Sequence, residues 1–339
     1  MGHGNGKKAS LEQQMRDKFA SMLAVGQSKR QAQKDGTAQA HIYSYSTYGN
    51  YIERAVLYCR WIEENHPECT SLKTAKRKGY YQEYLQSQVD RGLSTWTISL
   101  DVAALNKLYQ ISPDDPTRFI PPERRREDIT RSRLDRVRDR HFSEANNQEL
   151  IHFCQGTGAR RAALERLEGR DYWTREKMQA AVRKFDGQQL NKEGQASIAA
   201  FKESLETFPD QQDFILWRRD KGGRYRCSPI IGEHKQDIID RMKRTGPKEK
   251  VWQYVHQAAD VHAYRSDYAT AVYRMYARPV DSIPYYITDE NGRHRNPDLY
   301  ICKGDEAGKR LDRTAMLKSS KALGHNRVSV VASNYLRGL

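Results

Sequence analysis

Cysteine is scarce in this chain, and the five present are scattered. Cys59, Cys69, Cys154, Cys227 and Cys302 form no CxxC pair and no ligand spacing, which argues against a disulfide framework and a structural zinc site and predicts a chain kept in a reducing cytosol. No run of 18 apolar residues occurs, and the first forty residues lack the apolar stretch of a secretory leader. The expectation is a protein that neither spans a membrane nor is exported. There is no internal repeat and no long low-complexity segment, so solenoids and fibrous arrays are also excluded.

What is abundant is positive charge. Lys and Arg number 58 against 43 Asp and Glu, a formal charge of +15, and there are 20 tyrosines. The cations are not spread evenly. They crowd into ERRREDITRSRLDRVRDRH (Glu123 to His141) and WRRDKGGRYR (Trp217 to Arg226), both rich in arginine, whose planar fork suits phosphate oxygens. A polyanion is the expected partner, with Arg124, Arg125, Arg126, Arg219, Arg224 and Arg226 as candidate contacts to a nucleic-acid backbone.

A length of 339 residues suits two domains. Residues 1–40 read as a loose basic arm with one helical stretch near Leu11 to Leu23. Residues 41–111 read as a small helical domain. One apolar stripe runs through Tyr48, Ile52, Ala55, Val56 and Cys59 until Pro67 stops it; a second helix ends at Gly92; a third starts at Ser94 or Thr95 and carries Ile98, Val102, Leu105 and Leu108. Pro113, Pro116, Pro121 and Pro122 then break the pattern ahead of the arginine run, so residues 112–140 read as a basic linker.

Residues 141–339 form the second expected domain. Its first helix is interrupted at Gly156 and Gly158 and resumes beyond them. DFILWRRDKGGRYRCSPII reads as a β-hairpin turning at Lys221-Gly222-Gly223, followed by helices in EHKQDIIDRMKR and ADVHAYRSDYATAVYRMYAR. Two stretches, 174–212 with one or two basic amphipathic helices and the polar, aromatic 281–312, look like insertions. The fold class is therefore mainly α with a small β-hairpin or sheet in the C-terminal domain.

Four short stretches carry chemistry together. His262 and Arg265 lie three apart in HAYRSDYA, one helical turn, so both reach one anion. Arg160 follows a TGA turn in GTGARRAALERL and adds a second guanidinium, with Arg161 next to it as a rival. Such a set neutralises charge building on an attacked phosphodiester with no metal or other cofactor needed. Tyr335, ten residues after His325 in LGHNRVSVVASNY, supplies a nucleophile. Lys221 at the hairpin tip supplies a proton to the leaving oxygen, with Arg219 and Arg224 as rivals. Which group takes the phenol proton stays open, His262 being one candidate.

In order and register these stretches resemble the tyrosine recombinases, the Xer- and Cre-like family that includes phage and integrative-element integrases. TGARRAALERLEGRD is similar to TGLRxSELxxLxxxD at Thr157, Gly158, Arg160, Leu164, Leu167 and Asp171. HAYRSDYAT is similar to HxLRHxxAT at His262, Arg265, Ala269 and Thr270. DKGGRYRCSPI echoes GKGxKxRxVPL at Lys221, Gly222, Arg226 and Pro229, and the ending echoes LGHxxxxxTxxxY at Leu323, Gly324, His325 and Tyr335. Two departures stand out: Ala163 occupies the place of the acid three residues after the first arginine, and Ser266 that of the histidine after the second.

The resemblance covers most of the chain. It implies a catalytic set of Arg160, Lys221, His262, Arg265, His325 and Tyr335, with His325 bonding the phosphate or orienting the tyrosine. It further implies a two-domain C-shaped clamp on double-stranded DNA, with a helical core-binding domain and a catalytic domain. The implied activity is site-specific DNA recombination, integration or excision, through a 3′-phosphotyrosine and a Holliday junction in a homotetramer. A directionality factor would be an accessory partner, and the setting the cytoplasm and nucleoid of a bacterium, phage host or mobile-element host. A type IB topoisomerase or hairpin telomere resolvase shares this chemistry, and a catalytically decayed DNA-binding accessory protein is the third alternative.

Overall fold

The computed structural model describes residues 9–125, 142–185, 187–288, 290–295, 298–303, 306–325, 327–336 and 339. It is mainly helical, with strand confined to small antiparallel sheets, and it divides into two compact units, Met1–Arg124 and Arg125–Leu339.

The first unit contains α1 (Leu11–Ser21), α2 (Lys29–Lys34), α3 (Tyr45–Asn65), α4 (Leu72–Lys78), α5 (Tyr80–Asp90) and α6 (Thr95–Tyr109). Five of these start at a serine, Ser10, Ser28, Ser44, Ser71 or Ser94, whose hydroxyl accepts the backbone N–H three residues on. Each cap satisfies one of the donors that a helix start leaves open. The stripes of α3, α5 and α6 meet in a core that includes Tyr58, Ile62, Leu85 and Leu105.

The expected loose arm is corrected here. Leu11, Met15, Phe19 and Met22 are buried in that same core, the Gln14 side chain donates to Thr70 O at 2.9 Å and accepts from Leu72 N at 3.2 Å, and Leu23 bridges Ile42. A three-turn apolar stripe needs a partner surface, and α3 supplies one. The short α2 and α4 had no readable pattern, since α4 buries only Leu72 and Ala75. At the end of this unit the Arg124 guanidinium lies 5.7 Å over the Trp96 ring and its Nε reaches Ser99 Oγ at 3.2 Å. Arg125 is exposed. Arg126 and most of the expected linker lie outside the described residues.

The second unit runs α7 (Gln148–Thr157), α8 (Arg161–Leu164), β1 (Tyr172–Thr174), α9 (Arg175–Phe185), α10 (Lys192–Thr207), β2 (Asp213–Asp220), β3 (Arg224–Pro229), α11 (Lys235–Arg244) and α12 (Val261–Tyr276), and ends with α13 (Arg313–Ala322) and α14 (Val328–Asn334). The expected hairpin is the β2–β3 pair, and β1 completes an antiparallel sheet in the order β1-β2-β3. Three residues are too few for alternation to reveal β1. Strand β2 is buried on both faces. Phe214 and Leu216 enter one core with Phe201, Tyr268 and Val331, while Ile215 and Trp217 enter another with Leu150, Phe153 and Ile238. The hairpin is thereby clamped between helical layers.

The stretch expected as 174–212 supplies α9 and α10. The other, 281–312, forms two ribbons, Ile287–Thr288 with His294–Arg295 and Leu299–Ile301 with Arg310–Asp312. Its two ends are fastened by Arg278, whose Nε donates to Asp312 Oδ2 at 2.8 Å and whose Nη2 donates to Oδ1 at 3.0 Å.

Candidate active site

Helix α7 ends at Gly158, which has φ 63° and sits so tightly on Tyr268 that a Cβ would lie 2.3 Å from its ring. This left-handed turn suits glycine. The chain leaves it extended, so Arg160 (φ −105°, ψ 150°) precedes α8 and its side chain turns inward. The Arg160 Nη1 pairs with Asp220; its Nη2 lies 3.3 Å from Leu323 O and 3.5 Å from His325 Nε2. Arg161 goes elsewhere. Its guanidinium donates to the carbonyls of Val255, His256, Gln257 and Ala259, which separates the two rivals: Arg160 faces the site and Arg161 ties down the loop before α12.

Arg265, on the buried face of α12, is 2% exposed. Its two terminal nitrogens donate to Gly158 O and Leu323 O, while its Nε is a buried donor with no partner in the protein. Burial, with Arg226 and Arg160 close by, pulls its pKa down to about 9, against the opposing influence of Tyr335. It is still a cation at neutral pH. One turn earlier, His262 is exposed and its ring stands edge-on to Tyr335, centroids 5.2 Å apart. Ser266 Oγ donates to His262 O at 3.1 Å.

Helix α13 ends in Leu323-Gly324-His325. Gly324 has φ 70°, and a Cβ there would meet Arg226 Cδ at 2.5 Å. His325 is fixed at both backbone groups by Ser320: its N–H donates to Ser320 O at 2.8 Å and its carbonyl accepts from Ser320 Oγ at 3.0 Å. This sets the imidazole Nε2 3.3 Å from the Tyr335 hydroxyl. Burial pushes the His325 pKa down to about 4, and the charges of Arg265, Arg160, Arg226 and Lys221 add to it. The imidazole is neutral at pH 7, with a lone pair to offer. Tyr335 itself is 8% exposed at the end of α14, with Arg265 5.5 Å from its ring centroid.

Lys221 is exposed at the hairpin tip. Its amide donates to Asp220 Oδ1 at 2.7 Å. Asp220 had no signal in the sequence beyond being the lone acid in a basic run. It is 4% exposed and binds Arg160 and Arg226 through Oδ2. Burial alone would raise its carboxyl, but those two guanidiniums outweigh that and hold it down at about 2.

Arg226 requires a correction. Expected to contact a nucleic-acid backbone, it is 5% exposed, pairs with Asp220 at 2.8 Å and donates to Ala322 O at 2.6 Å and Gly158 O at 3.3 Å. With its donors committed inside the fold, it fastens the hairpin to the two turns that carry Arg160 and His325. Of the other two hairpin arginines expected on the nucleic-acid backbone, Arg219 pairs with Glu193 and Arg224 is exposed. Arg124 belongs to the first unit.

Segments far apart in sequence thus bring Arg160, Arg265, His325 and Tyr335 together, with His262 on the phenol ring, while Lys221 is tied to the cluster through its N–H bond to Asp220, the partner of Arg160. The one carboxylate among these contacts, Asp220, is already neutralised, so the cluster suits an anion. Among the described residues no group of three or more His, Cys, Asp or Glu could hold a metal ion, all five cysteines are buried, and no helix is long and apolar enough to cross a membrane. Compared with models of known protein families and with curated protein sequences, the chain matches none.

Proposed function

We propose that this protein breaks and rejoins DNA through a covalent phosphotyrosine, as a site-specific recombinase of the tyrosine type. The observation that carries the reading is the buried, unpartnered Nε of Arg265 beside Arg160, with the Tyr335 hydroxyl within hydrogen-bond reach of a neutral imidazole. In this reading Arg265 Nε, Arg160 and His262 hold the scissile phosphate. His325 Nε2 takes the phenol proton as Tyr335 Oη forms its bond to phosphorus. The P–O5′ bond breaks, and Lys221 protonates the departing oxygen. The phosphotyrosine keeps the bond energy, so a 5′-hydroxyl from a partner strand reseals the chain without a cofactor.

The wider expectations rest on the motif resemblance: a clamp of two domains on duplex DNA, four protomers, a Holliday junction, and a directionality factor as accessory. Arg124, Arg125, Arg219 and Arg224 are the exposed arginines offered to the DNA backbone.

The test uses nicked duplexes tiled across the DNA that flanks the gene. Wild-type protein is expected to form a denaturation-resistant adduct with one of them, and Tyr335→Phe none. An equal yield from the variant would sink the assignment, and relaxation of supercoiled plasmid with no site requirement would move it to a type IB topoisomerase.

A further inference from the structure

Two catalytic candidates reach this site from separate supports, Arg160 from the turn after α7 and Lys221 from the hairpin tip, and one buried side chain touches both. We propose that Asp220 is a positioning residue that locks Arg160 and the Lys221 tip into one arrangement, taking over the place that Ala163 leaves without an acid. The inference rests on the phosphotyrosine reading above and names a residue that reading does not require.

A register shift in the β2–β3 ladder falls between Trp217 and Asp220, with Arg219 at φ 48°. Such a bulge re-aims the side chain that follows it. Arg219 is exposed and Asp220 is turned into the fold. There its two oxygens divide the work: Oδ2 receives Arg160 and Arg226 Nε, and Oδ1 receives the Lys221 N–H at 2.7 Å. Beyond Lys221 the tip is Gly222 and Gly223, both at positive φ with open space around them. The hydrogen bond from the Lys221 N–H to Asp220 Oδ1, together with the turn bond from the Gly223 N–H to Asp220 O at 2.8 Å, therefore holds the point where the lysine leaves the strand. Ala163, three residues after Arg160, is buried and carries no acceptor.

An asparagine at 220 has one acceptor oxygen, and its NH2 cannot face two guanidiniums donor to donor, so the oxygen stays with the arginines and the Lys221 amide loses its acceptor. In Asp220→Asn, hydrogen exchange of the free protein should speed up at the Lys221 amide by at least about tenfold while the amides of α12 keep their protection. Adduct formation should fall about a hundredfold on an ordinary phosphodiester and only about tenfold on a 5′-bridging phosphorothiolate, whose thiolate leaves without needing a proton. Should the single variant fail to fold, Asp220→Asn with Arg226→Met removes both members of the buried pair and takes its place in the same measurements. Unchanged exchange at Lys221, or equal slowing on both substrates, overturns the proposal. If wild-type protein forms no adduct with either substrate, the phosphotyrosine reading falls, and the exchange result alone decides whether Asp220 holds the tip.

Discussion

Arg226→Ala separates a strut from a DNA contact. In the native unit this guanidinium pairs with the 4% exposed Asp220, donates to Ala322 O and Gly158 O, and lies 5.1 Å over the Trp217 ring. Truncation strands a buried carboxylate with Arg160 as its remaining cation. Breaking a buried pair from one side costs about 3–5 kcal/mol. For a unit of this size that corresponds to a melting-temperature drop of roughly 6–20 °C. A lost phosphate contact behaves differently, because it leaves the melt unchanged and lowers the salt slope of duplex binding by about one. Thermal unfolding of Arg226→Ala, with a salt titration of nonspecific duplex binding, reads both, and the exposed Arg224→Ala is the control. The expected outcome is a large thermal loss with the salt slope kept in Arg226→Ala, and the reverse in Arg224→Ala. An unshifted melt with a reduced slope in Arg226→Ala would refute the strut.

Two further outcomes are expected. Arg161→Ala removes donors to four carbonyls of the loop before α12 and should destabilise the unit by roughly 2–4 kcal/mol in a denaturant titration; a variant with native stability would reopen the choice between Arg160 and Arg161. His325 has a pKa near 4 in the folded protein against about 6.5 in an unfolded chain, so the unfolded chain takes the proton first. Its contribution is whole above pH 6.5 and lost as pH falls toward 4, and for a half-buried ring screened by solvent it amounts to about 1–2 kcal/mol. The stability of His325→Gln should therefore decline less than that of wild type between pH 7 and 4, and parallel curves would contradict the buried neutral imidazole.

The helices were legible wherever an apolar stripe ran for three turns, as in α1, α3 and α6, because burial repeats with the helical period. The candidate cluster was legible for a different reason. Glycine at positive φ, a cation beside it and a tyrosine at a set distance are local demands, and Gly158 and Gly324 are both found at φ above 60°. What could not be read was which member of a charged run turns inward. In RRDKGGRYR the side chains of Arg219, Asp220, Lys221, Arg224 and Arg226 are all polar, so no hydropathy pattern distinguishes the buried pair from its exposed neighbours. The bulge at Arg219 makes that choice, and a bulge is a property of two paired strands. Arg226 reads as a DNA contact for the same reason that Asp220 gives no signal: each looks solvated alone, and only their pairing offsets the cost of burying either. Where a basic run crosses a bulged hairpin, an acid within it is thus the residue to examine first, because it marks which cations stay inside the fold and which remain free for an anion.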